Sequence, residues 1–265
     1  MLYPRIVPVL LVRDKGLVKT VKFKDQKYVG DPINAVRIFN EKEADEIVVL
    51  DIDATVENRA PDYRMIENLA LECRMPLCYG GGIKTAKQAM RILGLGVEKI
   101  ALSSAVLDNP HLVAELSEQV GSQSVVVVLD VKKKFFGNKY ECFTHNAKNN
   151  TKISPVEFAK HAEKLGAGEL VINSIDNDGT MKGYDLDLIQ KINGEVSVPV
   201  TALGGAGSYN NISELISREQ LIGAAAGSLF VFKGKYKAVL ISYPTADEKK
   251  KLFTGLPGFN EKLQL

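Results

Sequence analysis

Short apolar runs rich in β-branched residues alternate along this chain with amphipathic stretches of helical period. Eight runs read as strands, at 5–12, 46–52, 76–80, 99–103, 124–130, 169–174, 199–203 and 221–227. Helix starts between them are well signalled. Gly30-Asp31-Pro32 sets a capping Asp before a first-turn Pro, and Ser154-Pro155-Val156-Glu157 combines a first-turn Pro with a capping box. Eight β/α units in a chain of this length predict an α/β fold, a closed parallel (β/α)8 or TIM barrel. An open doubly wound sheet would have fewer strands and a Gly-rich turn after the first. Here the glycines cluster after the third and seventh strands instead.

The pattern is also doubled. ADEIVVLDIDAT (44–55) matches AGELVINSIDNDGT (167–180), with Glu46 on Glu169 at an offset of 123 residues. At the same offset MPLCYGGG matches VPVTALGG, so Gly81 and Gly82 fall on Gly204 and Gly205. ALSSAV matches AAGSLF, with Ser104 on Ser228. Repeats at this scale predict two half-barrels, about 1–122 and 123–240, within a single domain that ends in a tail at 241–265. The first strand lies over the fifth, which places Leu11 on Asp130. KKKFFGNKYECF, after strand five, predicts an inserted hairpin turning at Gly137-Asn138.

Composition narrows the field. Net charge is +2 with 25% charged residues, and the lysines are dispersed, which argues against general nucleic-acid binding. The local runs Lys132–Lys134 and Lys249–Lys251 read as solvated surface. Three cysteines and three histidines lack metal-ligand spacing, so neither a metal nor a cofactor is expected, and the thiols should be reduced. No apolar run approaches a membrane span and no signal peptide is visible, so a cytoplasmic protein is expected.

Three sets of residues could carry chemistry. The glycine-rich ends of strands three and seven, each followed one unit later by Ser103-Ser104 and Gly227-Ser228, either serve tight turns or let backbone N–H groups approach an anion. Their repetition points to a ligand with two phosphates. Asp51, Asp53, Asp130, Asp176 and Asp178 stand at C-terminal strand ends, where barrels keep acid–base groups. Asp130 ends an apolar strand, where burial should raise its pKa. Arg5, Glu46, Lys99 and Glu169 stand at strand starts, either as solvated charges or as an ion-paired plug on the barrel axis.

DPINAVRIFNEKEADEIVVLDI, GGGI, NPHLVAELSEQVGSQ, NSIDNDGTMKGYDL and GGAG together resemble the cyclase subunit of imidazole glycerol phosphate synthase, from Arg5 to about Phe232. The resemblance implies a barrel that binds a bisphosphate at two sites. Those sites are Gly82, Ser103 and Ser104 on one side, and Asp178, Gly179, Gly205, Gly227 and Ser228 on the other. Lys19, in a long and mobile first loop, would help hold substrate. Arg5, Glu46, Lys99 and Glu169 would form an ammonia gate against which a glutaminase subunit docks. The family's catalytic pair of aspartates is incomplete: Asp130 matches one, whereas Leu11 stands in place of the other. Asp14, in the loop, is poorly placed to substitute, and Ser103 replaces a usual asparagine. KAVLISYPTADEKKKLF (237–253) departs from the usual last helix. It resembles the glycosyl amidation-associated branch, encoded with surface-polysaccharide genes, which is thought to work with a sugar amidotransferase. Three readings follow: ammonia delivery for amidation of a surface-polysaccharide (lipopolysaccharide, O-antigen) sugar, a histidine-pathway cyclase (a lyase), or a non-catalytic activator of the glutaminase.

Overall fold

The apolar runs pair edge to edge, and the last strand meets the first. The computed structural model describes residues 4–134, 137 and 139–253. Its ring consists of β1 (Arg5–Arg13), β2 (Ile47–Asp51), β3 (Leu77–Gly80), β4 (Lys99–Leu102), β5 (Val125–Lys133), β6 (Glu169–Ser174), β7 (Val200–Leu203) and β8 (Gly223–Ala226). Each strand pairs in parallel with the next. Closure comes from β8 against β1, with Arg5 opposite Gly223 and Pro8 opposite Ala226. This is a (β/α)8 barrel. Four strands begin one residue later than the apolar pattern suggests, at Ile47, Leu77, Val125 and Val200, and β8 begins two later; Leu77 and Val200 follow Pro76 and Pro199. Proline has no N–H for a ladder, but each carbonyl still accepts, from Ile47 N and Leu170 N, both at 2.9 Å.

The helices are α1 (Pro32–Glu41), α2 (Tyr63–Glu72), α3 (Ala86–Leu93), α4 (His111–Val120), α5 (Pro155–Lys164), α6 (Leu186–Asn193), α7 (Tyr209–Glu219) and α8 (Ala246–Leu252). Asp31 caps α1 by accepting from Asn34 N at 2.8 Å, and Ala35, Val36 and Phe39 form its buried face. The capping box expected at α5 is only half made. The Ser154 hydroxyl accepts from Glu157 N at 3.5 Å, but the Glu157 carboxylate does not accept from Ser154 N in return. The main core lies between strands and helices, and a second cluster, including Val7, Val48, Cys78, Val126 and Val171, fills the ring itself.

The two halves take equivalent register. Leu11 lies opposite Leu50 on the neighbouring strand, and Asp130 opposite Asn173. A Cβ on Gly81 would meet the Asp51 carbonyl at 2.4 Å, and one on Gly204 would meet the Ser174 carbonyl at 2.6 Å.

Two segments, the first loop and the tail, differ from the sequence reading, and the insertion after β5 agrees with it. The first loop is an ordered antiparallel hairpin, Gly16–Val21 with Lys24–Gly30, whose first strand also pairs with β1, Leu11 opposite Val18. After β5, the strand Tyr140–Thr144 pairs back antiparallel as expected; Gly137 has φ 83°, and Asn138 of the expected turn lies outside the described residues. The tail, described as far as Phe253, does form a helix, capped reciprocally by Thr245 and Glu248. Lys249 is therefore not part of a solvated run: it pairs with Asp45 at 2.8 Å. Tyr243 is buried, its hydroxyl donating to the Ile6 carbonyl at 2.8 Å and accepting from Asp45 N at 3.0 Å.

Candidate functional site

Charge collects at the two ends of the ring, with an apolar interior between. At the end where strands begin, Arg5, Glu46, Lys99 and Glu169 meet on the axis. Arg5 pairs with Glu46 and, at 2.7 Å, with Glu169. Lys99 pairs with Glu46 at 2.9 Å and Glu169 at 3.0 Å. Each cation touches both carboxylates, so the four close a circuit, and both Glu side chains are buried. Of the two sequence alternatives, solvated charges are set aside for these residues. Burial and the facing Glu169 push Glu46 above the usual carboxylate range. Burial also opposes ionisation of Glu169, but Arg5, Lys99 and Thr201 outweigh it and hold its pKa low. Thr201 is a member that the sequence reading missed: its hydroxyl donates to Glu169 at 2.6 Å. A threonine on the ring-facing side of an otherwise apolar strand was the available signal.

At the opposite end, one pocket is lined by Asp130, Leu11, Lys19, Gly82, Ser103, Ser104, Asp178, Gly179, Gly205, Gly227 and Ser228. Residues separated by more than 200 positions thus converge because the strands carrying them form a ring. Asp130 accepts from Asn173 Nδ2 at 2.8 Å and from the Ser103 hydroxyl at 3.3 Å. Burial pushes its pKa up to about 6 in spite of those two donors. It is therefore a carboxyl that can both take and return a proton near neutrality. Asn173 was not singled out from the sequence. Its apolar counterpart Leu50, at the 123-residue offset, was the clue. Opposite this polar pair, Leu11 and Leu50 face the same pocket as an apolar pair, packed on the interior cluster.

Two expected phosphate ligands are better assigned elsewhere. The Ser103 hydroxyl has one proton to donate and directs it to Asp130. Asp178 accepts from the Thr20 hydroxyl at 2.8 Å and Phe23 N at 3.2 Å, while its carbonyl accepts from Lys22 N at 3.0 Å. A carboxylate offers a phosphate no donor, and this one latches the first-loop hairpin to the rim. Burial nevertheless raises its pKa, against Thr20, Phe23 and Lys19. Ser104 accepts from His145 N at 3.2 Å, which brings the inserted hairpin over the pocket. Gly82 N already donates to the Thr55 hydroxyl at 3.2 Å.

The other rim acids are structural. Asp51 caps the turn after β2, accepting from Asp53 N at 3.1 Å and Ala54 N at 3.0 Å. Asp53 pairs with Arg13 at 2.8 Å, and Asp176 accepts from Lys133 N at 3.0 Å. Asp14 is 82% exposed and cannot stand in for a carboxylate at Leu11. Among the described residues no group of His, Cys, Asp or Glu could hold a metal ion, and no helix is long and apolar enough to cross a membrane.

The model of one family, described as histidine biosynthesis protein, matches residues 5–237. A Vibrio vulnificus protein, named provisionally as imidazole glycerol phosphate synthase subunit hisF3, is 62% identical over 251 residues, 95% of this chain and 96% of its own. A Leptospira interrogans protein named provisionally as subunit HisF of the same enzyme is 56% identical over 253 residues, covering 96% of this chain and 100% of its own. The imidazole glycerol phosphate synthase subunit HisF of Sulfurisphaera tokodaii is 42% identical over 212 residues, 80% of this chain and 84% of its own.

Proposed function

The chain belongs to the HisF-type cyclase branch of the histidine biosynthesis protein family, and from that premise we propose that it is the ammonia-using synthase subunit of a glutamine-dependent enzyme. A glutaminase subunit docks on the charged ring, ammonia crosses the apolar interior, and it reacts beside Asp130 with a phosphorylated ligand. The observation that carries this reading is the pairing of the two ends. A closed circuit of Arg5, Glu46, Lys99 and Glu169 guards one mouth, and the glycine-lined pocket with Asp130 opens at the other. Neutral ammonia crosses Val, Ala and Cys side chains at little desolvation cost, whereas a cation would not.

For the reaction, the relatives support the cyclase and lyase chemistry of imidazole glycerol phosphate synthase, with Asp130 as its pocket carboxyl. Gly205 and the N-terminal ends of the short helices Ser104–Asp108 and Ser228–Val231 would hold the two phosphates. The test supplies the ribosylated imidazole precursor with ammonium chloride, and asks whether the gene rescues a cyclase-deficient histidine auxotroph. Turnover and rescue support the reading, and the absence of both refutes it.

A second reading is favoured by Leu11. An apolar side chain exchanges no proton, so a cyclase relying on two carboxylates is half-equipped here. The same barrel would then deliver ammonia to a sugar amidotransferase that converts an acetamido group of a surface-polysaccharide sugar to an acetamidino group. Mass spectrometry of an acetamido sugar incubated with this chain, the glutaminase, the amidotransferase and glutamine checks it. A product formed equally well without this chain would rule it out.

A further inference from the structure

Opposite Asp130, on the side where β1 carries Leu11, the pocket holds one buried cation. Lys19, on the first strand of the hairpin, is 4% exposed. Its Nζ donates to the Val9 carbonyl at 2.6 Å, two residues before Leu11 on β1. Among the described residues that is its one hydrogen bond, and no carboxylate lies within ion-pair distance. Its remaining N–H groups thus have no acceptor among the described residues, and the residue lines the pocket. Space is made for the ammonium by Gly227, where a Cβ would come within 2.6 Å of Nζ. A buried ammonium given this room, held by a single carbonyl and with no carboxylate in ion-pair contact, is placed for use rather than for structure.

The geometry points to Lys19 as a general acid of this site, acting opposite Asp130 in place of the carboxylate that β1 lacks. The inference rests on the ammonia-using reading above. The ligand it implies carries an electrophilic C=O or C=N carbon between the two groups. Ammonia nitrogen forms a bond to that carbon, and the π pair moves to the oxygen or nitrogen. Lys19 gives that atom a proton, while the Asp130 carboxylate takes one from the attacking nitrogen. The adduct is neutral, leaving a neutral amine at Lys19 and a carboxyl at Asp130, and proton exchange with solvent resets both.

The electrostatics agree. Burial lowers the Lys19 pKa to about 8, with Asp178 opposing, while that of Asp130 is raised to about 6. Between those values Asp130 is ionised and Lys19 protonated, the combination the step requires. The charged groups around Lys19 are Asp178 behind β6, Asp130 across the pocket and Lys27, its register partner on the second hairpin strand.

The test has a kinetic and a spectroscopic arm. With the ribosylated imidazole precursor and ammonium chloride, kcat should describe a bell with limbs near pH 6 and 8. Lys19→Arg keeps the charge but cannot titrate, so kcat at pH 7 should fall about 100-fold or more with the alkaline limb lost. Lys19→Met, similar in size and uncharged, should be at least as impaired. If Lys19→Arg keeps kcat within about threefold and changes only KM, the lysine merely holds the ligand and the proposal is overturned. Absence of wild-type turnover would count against the cyclase reading, not against this one, and the second arm then decides. In protein labelled with 15N-lysine, the Nζ resonance missing from Lys19→Arg is followed against pH with and without inorganic phosphate. Titration near 8 that phosphate moves by less than about half a pH unit supports a proton donor. A rise of more than about one unit with phosphate, or titration at an ordinary lysine pH, identifies a phosphate ligand or a solvated amine and refutes it.

Discussion

Asp130 costs the fold stability whenever it is ionised, because burial favours its neutral form. A carboxyl whose folded pKa is raised contributes most below the ordinary carboxyl range, and that contribution is lost as pH rises through about 6. Asp130→Asn should therefore stabilise the protein by about 2 kcal/mol at pH 8 and leave it unchanged at pH 4, read by urea denaturation at both pH values. Asn173→Leu works in the opposite sense on the carboxylate. It removes the 2.8 Å N–H donor, so the Asp130 pKa should climb further and the acid limb of the rate profile should move to higher pH. At the other end, Glu169→Ala leaves Arg5 and Lys99 sharing one buried carboxylate. A loss of about 3 kcal/mol is expected in the same assay. Of these residues, Asp130 and Glu169 were legible as charges at strand ends. Asn173 and Thr201 were not, because an amide and a hydroxyl matter only through the neighbour that a strand register brings to them.

At the scale of elements, the first hairpin is the part the sequence under-described. Residues 16–30 are half polar and carry no long apolar run, so they read as a mobile loop. What orders them is tertiary: pairing with β1 and the three bonds to Asp178. Asp178→Ala should raise amide exchange throughout 16–30 while leaving the barrel strands protected, as measured by hydrogen-exchange mass spectrometry. Equal protection in the variant would show that strand pairing alone suffices. The tail is the complementary case. Its charged helix was read as a divergent solvated end, yet Tyr243 and Lys249 tie it beside the starts of β1 and β2. Tyr243→Phe should cost about 1–2 kcal/mol by leaving the Ile6 carbonyl without its donor.

Taken whole, the barrel separates the ion-paired ring from the Asp130 pocket by an apolar interior in which Cys78 is buried. Filling that interior should uncouple the ends without touching either. Cys78→Leu is expected to depress the glutamine-driven rate in the presence of the glutaminase at least tenfold, while the rate with ammonium chloride, which can reach the pocket from its open side, stays near wild type. Equal loss of both rates would instead mean that the larger side chain had disturbed the pocket. This prediction belongs to the whole molecule because ring and pocket share no residue.

By itself the sequence determined the barrel, its doubled pattern and the identity of nearly every charged group at the two mouths. Those depend on strand period, repeat offset and residue type, all of which are local and survive without coordinates. It also exposed the asymmetry of Leu11 against Asp130, since equivalent strands can be compared position by position. Tertiary structure alone decided what each polar group does. Closing the ring brought Asn173 and Ser103 onto Asp130, turned Asp178 from a candidate anion ligand into a latch, and set the Lys19 ammonium on the Val9 carbonyl with no carboxylate in ion-pair contact. The physical reason is that a buried group's chemistry is set by which donors, acceptors and charges replace its water, and those replacements come from distant parts of the chain.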